Sequence, residues 1–375
     1  MNISKIILSA LFVGQLSSCM AQTKQTDISL KTTFKNKFLI GVAMNANQIT
    51  GKDSVGDRVI AQNFSSIVAE NCMKSEVVQP VEGEFDFSLA DQFVKFGEKN
   101  KMFIIGHTLI WHSQTPRWFF TDDKGQQVSK EVLIERMHKH IATLVGRYKG
   151  RVKGWDVVNE AINDDGSYRE SPFYKIIGKD FIKLAFQFAH EADPDAQLYY
   201  NDYNMAMQGK REGVVKMVSE LKQAGLRIDA IGMQSHLGLD FPTVTEFEKS
   251  ILAFSSLGVK VMMTELDLSI LPSPWNNGGA NVSDKAEYQE KMNPYKKGIP
   301  ADKYAEWEKV YLSFFKLFLK HQDKISRVTL WGLSDADSWK NDWPIRGRTD
   351  YPLLFDRNHQ PKPIVTKIAE MTANP

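Results

Sequence analysis

Two glutamates, Glu160 and Glu265, end short apolar runs that read as buried strands. In Trp155-Asp156-Val157-Val158-Asn159-Glu160-Ala161, paired valines beside an aromatic give β-branched character, and the run stops on the polar pair Asn159-Glu160. A buried strand gains nothing by presenting a carboxylate, because an unpaired charge there costs several kcal/mol. At the C-terminal mouth of a barrel strand, the same pair sits where active sites are built. Taken alone, the stretch reads first as a strand whose last glutamate caps the following helix. Glu265, in Thr264-Glu265-Leu266-Asp267, is a second strand-end carboxylate. Paired carboxylates flanking a bond are the equipment of glycoside hydrolysis: one protonates the leaving oxygen, the other stays ionised to attack the anomeric carbon. The charge of one helps keep the other protonated.

Such a pair needs a scaffold that brings distant strand ends together. Short apolar runs at Leu39–Ala43, Ser66–Glu70, Met102–Gly106, Gly154–Asn159, Gln197–Asn201, Ala230–Met233, Lys260–Glu265 and Arg327–Leu333 predict eight strands. Helical patterns at Leu89–Lys99, Lys130–Tyr148, Phe181–Glu191, Lys210–Ala224, Val244–Ser256 and Tyr304–His321 lie between or after them. This alternation predicts an α/β fold, a single (β/α)8 TIM barrel, whose fourth and seventh strands end across the mouth from one another. The connection from Leu271 to Pro300, rich in Pro, Gly and polar residues, is a long loop on the face that carries the chemistry.

Other polar and aromatic residues gather at the same ends. Glu70, Asn71 and Lys74 follow strand two, and His107, Trp111 and Gln114 follow strand three. Asn201, Asp202 and Tyr203 follow strand five, Gln234 and His236 strand six, Asp267 strand seven, and Trp331 and Trp339 strand eight. Each has a structural explanation on its own, but packing does not explain seven strand ends behaving alike. Eight tryptophans and 11% aromatics suit a ligand with flat apolar faces, such as a sugar. A net charge of +2 gives no reason to expect nucleic acid as a partner. The two cysteines, Cys19 and Cys72, make no disulfide framework. No zinc cluster, phosphate loop or dinucleotide fingerprint is present, so neither metal nor cofactor is expected.

The N-terminus predicts export. Lys5 precedes the apolar run Ile6 to Val13, and Leu16-Ser17-Ser18-Cys19 resembles a bacterial lipoprotein signal in which the cysteine is lipidated. This divides the chain into a signal peptide at 1–18, a tether at 19–34 and a catalytic domain at 35–375. It also predicts an outer-membrane lipoprotein anchored through Cys19, on the periplasmic or cell-surface side. Cleavage near Ala21-Gln22 is the alternative.

In order, the motifs Glu70-Asn71-Cys72-Met73-Lys74, GHTLIWHSQTPRW at 106–118, WDVVNEA at 155–161, NDYN at 201–204, QSH at 234–236, TELD at 264–267 and WGLSDADSW at 331–339 resemble those of family-ten glycoside hydrolases, retaining endo-β-1,4-xylanases. The resemblance runs from about Phe38 to Pro363. It implies endo-hydrolysis of xylan, with Glu160 as acid/base and Glu265 as nucleophile; a monomer is expected. It further implies that Glu70, Asn71, Lys74, His107, Trp111, Gln114, Asn159, Gln234, His236, Trp331 and Trp339 hold the glycone sugars. Tyr203 would stack on the sugar beyond the scissile bond, and Asp267 would orient His236. Ser75 departs from the tryptophan many relatives carry there, which opens the question of what backs the glycone subsites. A β-glucan hydrolase and a polysaccharide-binding lipoprotein without catalysis are the competing readings; retention of both glutamates argues against the second.

Overall fold

The computed structural model describes residues 28–272 and 290–373. Cys19, the signal segment before it and the centre of the 271–300 connection lie outside the described residues. Eight parallel strands alternate with eight helices: β1 (Leu39–Met44), α1 (Ser54–Asn63), β2 (Ser66–Ala69), α2 (Ser88–Lys99), β3 (Phe103–Trp111), α3 (Lys130–Arg147), β4 (Gly154–Asn159), α4 (Asp180–Ala192), β5 (Gln197–Asp202), α5 (Gln208–Gln223), β6 (Ala230–Met233), α6 (Val244–Ser255), β7 (Lys260–Leu268), α7 (Ala301–Lys320), β8 (Ile325–Leu330) and α8 (Pro363–Ala373). Neighbouring strands pair in order, β6 bonds to β7, and β1 bonds to β8, so the sheet closes into a (β/α)8 barrel.

The helices present one apolar stripe inward. In α2 the buried positions Ala90, Phe93, Val94 and Gly97 follow the helical repeat, and α3 and α6 are capped by Ser129 and Thr243, which accept from Val132 N and Glu246 N. The barrel interior holds its own apolar cluster of Ala43, Val68, Ile105, Tyr199, Ala230, Met262 and Trp331. Size matching across strands is tight: a Cβ on Gly106 would fall 2.0 Å from the Trp155 ring of the adjacent strand. Among the described residues no helix is long and apolar enough to cross a membrane.

Several expected boundaries move. β3 continues past Gly106 to Trp111 and β7 past Glu265 to Leu268, because their ends find new partners: Ile110 and Trp111 pair with Val158 and Asn159, while Asp267 and Leu268 pair with His236 and Leu237. His107 and Glu265 therefore lie inside strands. The expected tether is part of the fold from Leu30 onward, since Leu30 and Phe34 are fully buried and Phe34 stacks on Phe38 and Phe315. The packed domain thus begins before residue 35. Helices α1 and α8 were absent from the expected pattern; α1 buries only Gly56, Ile60 and Asn63, too few apolar positions to show a period. Both described ends of the long connection rest on one segment, with Arg348 donating to Pro272 O and Asn293 bonded to Gly347 and Thr349.

Candidate active site

Glu160 lies one residue past β4 with φ +58°, a left-handed backbone that a side-chain-bearing residue adopts only when its surroundings hold it there. Those surroundings are specific. Its N–H donates to Asn201 O at 2.9 Å, and its carbonyl accepts from Arg169 Nε at 2.8 Å. The next two amides, of Ala161 and Ile162, both donate to the Tyr200 hydroxyl at 3.0 and 3.1 Å. That hydroxyl donates in turn to Asp202, whose other oxygen accepts from Lys210 Nζ at 2.9 Å. The Asp202–Lys210 pair is fully buried, and Lys210 also donates to Ile162 O at 2.6 Å. The backbone around Glu160 is thus bonded on every side.

Glu160 is 6% exposed, and its carboxyl accepts from Gln234 Nε2 and Trp111 Nε1, each at 2.9 Å. Burial, and then the negative charge of Asp202, push its pKa up from 4.5 to about 7 despite these bonds; Glu265 adds to the rise. Glu265 is treated oppositely. Burial alone would raise its pKa, but the bond and charge of His236, the charge of His107 and the bond from Asn201 hold it below the ordinary carboxylate value. His236 Nε2 sits 3.1 Å from Glu265 Oε2, and Asn201 Nδ2 donates to Glu265 Oε1 at 2.8 Å. Against burial, which would lower it, Asp267 and Glu265 raise the His236 pKa to about 9, so the ring is cationic near neutral pH. Asp267 lies 3.0 Å from His236 Nδ1 and accepts from Trp339 Nε1 at 2.8 Å, while the Trp339 ring packs on His236 at 4.9 Å. The nitrogen of the Asn201 amide is also 3.0 Å from the Asn159 amide, which places Asn159 between the two glutamates. One cleft therefore holds a carboxyl whose pKa is pushed up toward neutrality and a carboxylate held below its ordinary value.

The remaining predicted residues frame this pair. Lys74 Nζ donates to Asn71 Oδ1 and Gln114 Oε1, and lies over the Trp111 ring at 5.0 Å. Burial lowers the Lys74 pKa, while the charges of Glu265, Glu70 and Glu160 oppose that. Glu70 and Asn71 border a cavity of about 360 Å³ that reaches Asn45, Asn47, Cys72 and Leu89. Burial pushes the Cys72 thiol up to about 12, so it is a packed side chain and not a nucleophile. His107 is held by Asp156 at 2.9 Å and meets Trp331 edge to face at 5.4 Å. Tyr203 stands apart from this group, half-buried beyond β5, with its hydroxyl accepting from Arg169 and Lys210 Nζ 4.0 Å from its ring centre. Behind Lys74, Ser75 Oγ lies 3.2 Å from His140 Nε2, and His140 Nδ1 is 2.7 Å from Gln79 Oε1. Ser75 is thus tied into a buried polar trio.

All fifteen predicted polar and aromatic site residues from Glu70 to Trp339 therefore lie at the C-terminal mouth of the barrel. Sequence reasoning assigned no role to Asn201, Asp202, Tyr200, Lys210 or Arg169, although the first two were visible as strand-end polar residues. Elsewhere among the described residues, Asp53, Asp337 and His359 bring three possible metal-ligand atoms within 4.8 Å of one another. Asp337 is already committed there, accepting from Asn45, Gln48 and Ser334, so the group ties loops together.

Comparison with known proteins places this geometry. The sequence profile of glycosyl hydrolase family 10 matches residues 29–371. An endo-1,4-beta-xylanase A of Xylanibacter ruminicola is 51% identical over 97% of this chain and 99% of its own. An endo-1,4-beta-xylanase of Geobacillus stearothermophilus is 39% identical, covering 92% of this chain and 98% of its own. Among solved structures, a GH10 endoxylanase from a sugarcane soil metagenome superposes with a TM-score of 0.89 at 48% identity, over 92% of this chain and all (100%) of that one.

Proposed function

The chain belongs to glycosyl hydrolase family 10, and on that footing we propose that it is an endo-1,4-β-xylanase that hydrolyses xylan with retention of configuration. The observation that carries this reading is the opposite treatment of the two carboxyls: Glu160 is held near pKa 7, while Glu265 is kept ionised by His236 and Asn201. A bond to be cut between two xylose units lies between them. Glu265 attacks the anomeric carbon as Glu160 delivers its proton to the departing glycosidic oxygen, leaving a glycosyl ester on Glu265. Glu160, now a carboxylate, takes a proton from water as that water attacks the same carbon and frees Glu265.

The surrounding residues are assigned roles that their positions support. Asn159 is placed to bond the sugar 2-hydroxyl, a contact that strengthens as positive charge develops at the ring. His236, fixed by Asp267 and Trp339, keeps Glu265 charged and aimed. Glu70, Asn71, Lys74, Gln114, Trp111, His107 and Gln234 bind the glycone sugars, and Tyr203 stacks on the first leaving-group sugar. Trp331 and Trp339 crowd the space a glucose hydroxymethyl would fill, which selects xylose by exclusion.

The test separates the two glutamates. Glu160→Ala should still be glycosylated by an aryl xyloside whose leaving group needs no proton, and azide should speed its turnover. Glu265→Ala should form no glycosyl ester; azide standing in for the missing carboxylate there should give the α-xylosyl azide, whereas Glu160→Ala should give the β-azide, and the opposite pairing of anomers would reverse the assignment. The N-terminal segment supports anchoring at the outer membrane through a lipid on Cys19. Cys19→Ser should release activity from the membrane fraction of an expressing bacterium, and activity that stays in that fraction would refute the anchor.

A further inference from the structure

Arg169, in the loop between β4 and α4, has no part in the chemistry above, yet it joins two of its elements. Its backbone N–H donates to Ala161 O at 2.8 Å, fixing the loop against the residue after Glu160. Its guanidinium then makes two bonds in different directions. Nε donates to the carbonyl of Glu160 at 2.8 Å, and Nη2 donates to the Tyr203 hydroxyl at 2.7 Å. Glu160 and Tyr203 follow different strands, and among the described residues no direct bond joins them. A guanidinium suits such a bridge because its donors sit in one rigid plane at fixed spacing, whereas an ammonium is a single point. The bond to the Glu160 carbonyl also falls on the residue whose left-handed backbone aims its carboxyl into the cleft.

We propose that Arg169 is a positioning residue that couples occupancy of the leaving-group side of the cleft to the setting of the proton donor. A sugar resting on Tyr203 steadies its phenol, Arg169 is steadied with it, and the Glu160 carbonyl is held in the orientation that points its carboxyl at the glycosidic oxygen. A substrate with no sugar on that side draws no help from the bridge. This rests on the reading of Glu160 as proton carrier and Tyr203 as platform.

The experiment compares kcat/KM for xylotetraose with kcat/KM for 2,4-dinitrophenyl β-xylobioside, whose leaving group needs neither a proton nor a sugar-binding platform. Arg169→Met should lower the ratio of the first to the second at least tenfold, and Arg169→Lys should lower it less. Tyr203→Phe, which deletes only the hydroxyl, should lower the same ratio severalfold. The double variant should fall no further than Arg169→Met alone, because both changes cut one link. Equal losses on the two substrates, which general disruption would give, overturn the proposal; so does a double variant whose loss is the product of the single ones. If Arg169→Met does not fold, Tyr203→Phe and Arg169→Lys supply the same comparison, and an unchanged ratio in Tyr203→Phe is fatal. A Glu160→Ala control separates the underlying reading: if it loses the dinitrophenyl substrate as heavily as xylotetraose, the proton-carrier assignment itself has failed.

Discussion

Replacing Glu160 by Gln separates the energetic cost of its buried charge from the loss of its chemistry. The residue is 6% exposed, and the pKa of its carboxyl is held at about 7 against an ordinary 4.5. Below pH 4.5 it is protonated in the folded and the unfolded chain alike, so burial carries no charge penalty. Between 4.5 and about 7 the unfolded chain releases its proton while the folded chain keeps it, and stability falls as pH rises. Above about 7 the folded chain bears the full penalty. The gap between 4.5 and about 7 corresponds to about 3 kcal/mol. For about 330 packed residues that is a shift of about 4 °C in midpoint.

Glutamine cannot titrate, and it offers one carbonyl oxygen where Trp111 and Gln234 now have two to donate to. The lost bond lowers stability by about 1–3 kcal/mol at every pH, whereas the charge effect depends on pH. Calorimetric midpoints of the wild type and Glu160→Gln, taken at half-unit steps from pH 4 to 9, should therefore show a difference that moves about 4 °C in favour of the variant across the range. Most of that movement should fall between pH 4.5 and 7. A difference that stays constant with pH, or moves toward the wild type, refutes the claim that burial of a charge holds this group up. The same ionisation should set the alkaline limb of kcat/KM on xylo-oligosaccharides near pH 7 in the free enzyme.

Further outcomes follow from neighbouring contacts. Asp202→Asn removes the second-largest contribution to the raised Glu160 pKa, so the alkaline limb of the kcat/KM profile should move to lower pH; an unmoved limb would show that the Asp202 charge does not act on Glu160. Gly106→Ala places a methyl 2.0 Å from the Trp155 ring and should lower unfolding stability by about 1–3 kcal/mol in a urea titration, a prediction that a silent substitution would contradict. With its thiol pushed up to about 12, Cys72 should stay unalkylated by iodoacetamide at pH 8 until denaturant is added; its peptide mass reads the result, and native labelling would show an open site.

Features that lie along one strand were legible in the sequence, and those that cross the barrel mouth were less so. Trp155 to Asn159 announces itself as a buried strand, and a glutamate directly after it stands out because nothing in a strand needs it. The same logic located Glu265, and the other strand ends followed from their ordered spacing. Helix α1 stayed hidden because its stabilisation comes from packing on the barrel and not from a period of its own. The ends of β3 and β7 were placed short because polar residues, His107-Thr108 and Asp267, interrupt their apolar runs; they remain in strands because neighbouring strands supply partners. Lys210 is the sharpest case. It lies in the first turn of α5, where a lysine reads as a solvated charge, yet it is fully buried with Nζ 2.9 Å from Asp202. Asp202 in turn raises the pKa of Glu160 while bonding the tyrosine that holds the Glu160 backbone. The identity of the proton carrier is thus a local property of one strand end, whereas its pKa depends on burial within the closed barrel and on a carboxylate at the end of β5. Local sequence could name the first, but the second depends on distances that exist only once the barrel has closed.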